Sequence, residues 1–87
     1  RPTELAVRAE RAFLKRLKGG CQVPIAGFAT AEKGWIILKG MVAELDGSRI
    51  IRNEMKGPDS RPEELGSALA EKILAAGADR ILAGIYG

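Results

Sequence analysis

At 87 residues the chain is long enough for one small domain and too short for two. With 46% hydrophobic and 29% charged residues it has enough apolar surface to fold, and no run approaches the roughly 18 apolar residues of a membrane span. The 14 Lys and Arg against 11 Asp and Glu give a net charge of +3 with the signs well mixed, which permits an anionic ligand without pointing to nucleic acid or a membrane surface.

The first element is a predicted helix. Leu5, Ala9, Phe13 and Leu17 recur at i, i+4 and make one apolar stripe, with Glu4, Arg8, Arg11, Lys15 and Lys18 largely off it. Thr3 behind Pro2 is the expected N-cap and Gly19-Gly20 the expected stop. Lys15, Arg16 and Lys18 fall in the last turn, where positive charge complements the helix dipole.

Strands follow. Residues 22–29 alternate loosely, with Pro24 early, as at an edge or a strand start. Glu32-Lys33-Gly34 reads as a turn. Residues 35–44 make the strongest strand, and the run Trp35, Ile36, Ile37, Leu38 implies partial burial on both faces. Asp46-Gly47 is a hairpin signal leading into a third strand over 49–56, which Gly57-Pro58 should break.

Ser60 and Glu63 have the spacing of a capping box, with Pro62 in the first turn of a second helix. Leu65, Leu69 and Ile73 form its stripe, widened by Ala68, Leu74 and Ala76, and Gly77 is the expected C-cap. The tail carries Ile81, Leu82, Ile85 and Tyr86 and is expected to pack. The expected fold is α+β: a single domain over 1–87 of order α-β-β-β-α, with a three-stranded antiparallel sheet and both helices on one face. The opposite face would be left to solvent or to a neighbouring domain. Phe28, Trp35 and Met41 are assigned to core or interdomain packing.

The chain has no histidine and one cysteine, which excludes an internal disulfide and a Cys/His zinc site. A single unpaired thiol fits a reducing, cytoplasmic setting. No apolar stretch follows Arg1-Pro2-Thr3-Glu4, so no signal peptide is expected there. The start on Arg1 instead of Met is what a piece of a larger protein would show.

Cys21 stands at the junction of helix and strand, behind two glycines that leave space for close approach. Basic residues one turn earlier favour the thiolate, whereas the negative end of the helix opposes it. Taken alone, a lone cysteine is most often a small buried hydrophobe.

The wider context changes that weighing. Glu10-Arg11-Ala12-Phe13-Leu14, then Leu17, then Gly19-Gly20-Cys21-Gln22-Val23-Pro24-Ile25 closely resembles the C-terminal domain of porphobilinogen deaminase, also called hydroxymethylbilane synthase. The likeness continues through Asp46-Gly47-Ser48, Leu65-Gly66, Leu69-Ala70, Gly77-Ala78 and Ile81-Leu82-Ala83, over nearly the whole chain. It implies that Cys21 carries a dipyrromethane cofactor through a thioether, with Gly19, Gly20 and Gln22 beside it. It also implies a cytoplasmic, monomeric full-length transferase of porphyrin and heme biosynthesis, which condenses four porphobilinogen units into the linear hydroxymethylbilane and releases ammonia.

The family's catalytic aspartate and its arginine-rich carboxylate pocket belong to two preceding domains, and no segment here matches them. This chain therefore holds no catalytic residue of its own, and in isolation it is expected to be inactive. Asp46, Asp59 and Asp79 read as a turn residue, a cap neighbour and a solvated charge. Two other classes stand against this reading. One is a double-stranded-RNA-binding module, which shares the element order but uses a lysine-rich start to its last helix, where this chain has Asp59-Ser60-Arg61-Pro62-Glu63-Glu64. The other is a structural domain with an inert Cys21.

Overall fold

The structure is a computed structural model that describes residues 2–17, 24–44 and 47–81. Its elements are α1 (Pro2–Arg16), β1 (Ile25–Glu32), β2 (Trp35–Ala43), β3 (Ile50–Pro58) and α2 (Pro62–Ile73). The strands form one antiparallel sheet in the order β1-β2-β3, and both helices pack on the same face. The expected α+β arrangement is therefore the observed one. No helix among the described residues is long and apolar enough to cross a membrane.

The side-chain period of two divides the sheet into two faces. Ile36, Leu38 and Val42 point from β2 into the helices and are fully buried. Against them lie Ala9, Phe13 and Leu17 of α1 and Leu65, Leu69 and Ile73 of α2. Phe13 needs a gap in the sheet, and the cross-strand pair Gly27↔Gly40 provides it. A Cβ at Gly40 would lie 2.4 Å from Phe13 Cζ, and one at Gly27 2.9 Å from Cδ2.

The helices run parallel and close together, because Gly66 lets α2 approach the α1 backbone. A Cβ there would stand 2.4 Å from the Ala9 carbonyl oxygen. Two exposed ion pairs span the same seam: Arg8 with Glu63 (2.6 Å from Nε to Oε2, a second bond at 3.0 Å) and Arg16 with Glu71. The Arg8 hydrogen bonds, with a contribution from a backbone hydrogen bond of its own, hold Glu63 below the usual carboxylate range, and the Arg8 guanidinium is pushed up in turn.

Several boundaries differ from the sequence expectation. Helix α1 begins at Pro2, whose fixed φ suits a first helical position, so Thr3 lies inside the helix and not at its cap. Strand β1 runs on to Glu32, and the hairpin turn is Lys33-Gly34 alone, both with positive φ (50° and 87°), as a two-residue turn of this hand requires. Strand β3 continues through Gly57-Pro58. As an edge strand it tolerates a terminal proline, and Pro58 pairs with Trp35.

The capping box does not form. Pro62 sets the start of α2, which makes Arg61 the cap residue, without a side-chain bond, while Glu63 turns to Arg8. Ala68 and Ala76 are exposed, because the buried face of α2 turns through Gly66 and Ala70 towards α1. Gly77 leaves helical geometry with φ 125°, as the expected C-cap glycine would, and a short second helical segment follows it and buries Ile81.

Candidate functional site

The candidate site is the connection between α1 and β1. Cys21, with Gly19, Gly20 and Gln22, lies outside the described residues, as does Lys18. The two flanks of that connection are fixed. On the helical side Leu17 is buried, and its amide bonds the Phe13 carbonyl at 3.3 Å. On the strand side the Pro24 carbonyl accepts the Ala43 amide at 3.0 Å, tying the entry of β1 to the exit of β2.

The β2–β3 hairpin stands at this same end of the sheet. The Glu44 amide donates to the Arg49 carbonyl at 2.9 Å, and the Gly47 amide donates to the Glu44 carbonyl at 2.9 Å. Gly47 has φ 75°, a conformation that suits glycine and supports the predicted turn. Asp46 lies outside the described residues. The Glu44 carboxylate faces Arg49 at 3.9 Å and accepts from the Ser48 hydroxyl at 3.5 Å. One sheet end thus gathers the entry of β1, the exit of β2 and a small polar hairpin.

The basic residues of the last turn of α1 do not act as one group. Arg16 is engaged by Glu71 of α2, whereas Lys15 is exposed on the groove between the helices, alongside Arg8 and Arg11. Asp59 donates its backbone amide to the Gly34 carbonyl at 2.9 Å in the turn before α2, and Asp79 is exposed, in line with a cap neighbour and a solvated charge. Arg49 and Arg52 are exposed.

One functional-looking interaction has no counterpart in the sequence reading. Glu10 accepts the backbone amide of Ala29 at 2.7 Å and so joins α1 to β1 on the far side of the Cys21 connection. Glu10 follows a buried residue on the helix and carries no motif of its own. Its place in the Glu10-Arg11-Ala12 run was the only available signal.

The model of the porphobilinogen deaminase C-terminal domain matches residues 4–75. The chain belongs to that family. It is 52% identical over 83 residues to the porphobilinogen deaminase of Syntrophotalea carbinolica, a match over 95% of this chain and 26% of the relative. Against the porphobilinogen deaminase of Moorella thermoacetica it is 54% identical over 81 residues (93% and 26%). Against that of a Synechococcus species it is 50% identical over 86 residues (99% and 27%). The chain thus spans about a quarter of the length of these curated relatives. The first turn of α2, where an RNA-binding module would place lysines, carries Glu63 and Glu64.

Proposed function

We propose that this chain is the cofactor-anchoring domain of a cytoplasmic hydroxymethylbilane synthase. The full-length protein condenses four porphobilinogen units, with loss of ammonia, into the linear tetrapyrrole. The observation that carries this reading is the position of Cys21. It falls inside the matched family span, in a connection whose two flanks are both tied into the core.

The residues suit a single covalent tether. Cys21 is the one thiol of these 87 residues, so within this segment no second sulfhydryl competes for the attachment or closes a disulfide with it. Its thiolate is the most nucleophilic side chain available near neutral pH, and a carbon–sulfur bond, once formed, survives repeated turnover. Gly19 and Gly20 add no side-chain bulk beside the sulfur, and Gln22 brings an amide that can donate and accept. When bound, the dipyrromethane supplies the primer to which pyrrole units are added.

The domain's own contribution is to tie down both ends of the segment that carries Cys21. Leu17 fixes the helical end, and the Pro24–Ala43 bond fixes the strand end. Proton transfer and recognition of acetate and propionate groups fall to the preceding part of the polypeptide. The test is porphobilinogen turnover by the full-length parent and by its Cys21→Ser variant. The parent turns over and the variant loses activity by about 100-fold or more, because a hydroxyl is a far weaker trap than a thiolate. A Cys21→Ser variant with parental turnover would contradict the proposal.

A further inference from the structure

Among the described residues the helices cover one face of the sheet and leave the other bare. On the bare face Phe28 is 62% exposed, Trp35 47% and Ile50 45%, and these are three of the four large exposed hydrophobic residues among those described. The register places Met41 beside Ala26, Lys39 beside Phe28, and Ile37 beside Thr30, so the apolar groups run diagonally over β1 and β2. The charges gather on β3, where Arg52, Glu54 and Lys56 stand opposite Met41, Lys39 and Ile37. Lys56 lies 5.0 Å over the Trp35 ring. A depression of about 410 Å³ opens between Phe28, Met41 and Arg52. Apolar side chains around an exposed Lys39 on the central strand, with further charges on β3, make the mixed polar and apolar face found at contacts between domains.

We propose that this bare face is the docking surface for the preceding part of the same polypeptide. The inference rests on the domain reading above, and area selects the occupant. Eight-residue strands span about 27 Å and three of them about 14 Å, so the face offers roughly 400 Å². A stable complex between separate chains buries about 800 Å² on each partner, so a second copy would gain too little here. Contacts between domains of one chain total about 600–1,500 Å² over both sides, and the covalent link supplies the high effective concentration that lets so small a face close. The relatives carry about three quarters of their length outside the matched segment, and the matching model is that of a C-terminal domain.

Hydroxyl-radical footprinting of the full-length parent tests this, read by peptide mass spectrometry at Phe28 and Trp35 against the same residues in urea-unfolded protein. A bare face leaves about half of the unfolded reactivity, whereas a covered one lowers it by about fivefold or more at both residues. Protection below fivefold overturns the proposal, and so does protection that disappears on dilution, which would mark a second copy as the occupant. Porphobilinogen turnover by the same sample keeps the two ideas separate. An active protein with reactive Phe28 and Trp35 overturns the docking surface alone, and an inactive protein with both protected overturns the enzyme reading alone.

Discussion

The Ala29 amide on β1 donates to the Glu10 carboxylate on α1 across 2.7 Å, joining two elements 19 residues apart in sequence. Ala29 is buried on an edge strand, where an unpaired amide would otherwise have no acceptor and would leave the edge open to pairing. Glu10→Ala is therefore expected to destabilise the fold by about 1–3 kcal/mol, and Glu10→Gln, which keeps an acceptor oxygen, by less. Urea denaturation gives the magnitudes, and hydrogen exchange at the Ala29 amide localises the effect. A Glu10→Ala variant as stable as the parent, with that amide still protected, would remove the role assigned to this bond.

The Phe13 seat gives a second expectation. Gly40→Ala places a methyl group 2.4 Å from the Phe13 ring, which is fully buried. The expected loss is about 1–3 kcal/mol, the usual range for overpacking. Gly66→Ala meets the Ala9 carbonyl at the same distance, and since backbone cannot swing aside the helices must separate, which puts the loss at the upper end of that range or above. Thermal unfolding checks both, and equal melting temperatures for parent and variants would contradict the packing described.

The helix seam predicts a pH dependence. Hydrogen bonding to Arg8 lowers the folded pKa of Glu63 from its ordinary 4.5. A depressed carboxylate stabilises the fold above its unfolded pKa, and that contribution is lost as pH falls through the folded value. The stability difference between the parent and Glu63→Gln should thus be full at neutral pH and shrink below about 4.5, vanishing in stronger acid. Both side chains are solvent-exposed, so the difference should also shrink with added salt. Acid denaturation curves that keep a constant offset between the two proteins would contradict the pair's contribution.

Much of this fold was legible from side-chain periodicity. The stripe from Leu5 to Leu17 and the apolar run from Trp35 onward each bury one side against a layer that their spacing alone implies. Local punctuation was less reliable. Pro62 outranked Ser60 in setting the start of α2, and Gly57-Pro58 closes β3 from inside the strand, two residues later than expected, because an edge strand accepts a terminal proline. Contacts between distant residues left no sequence signal. Gly66 looks like a weak point in a helix until Ala9 is seen against it, and Glu10 looks like one surface charge among many until Ala29 is placed beside it. Cys21 stands out by its place in a family-like segment and lies outside the described residues.

On the proposed division of labour the isolated chain would supply only the anchoring thiol, so it should not convert porphobilinogen. Steady ammonia release from porphobilinogen by the purified 87-residue chain would contradict that division of labour.

The most direct measurement is the denatured intact mass of the full-length parent, with peptide mapping around Cys21. Two linked pyrrole units added to that peptide are the predicted result and would establish the anchor. A Cys21 thiol that remains bare even after incubation with porphobilinogen would contradict the anchoring role and leave the domain a structural one.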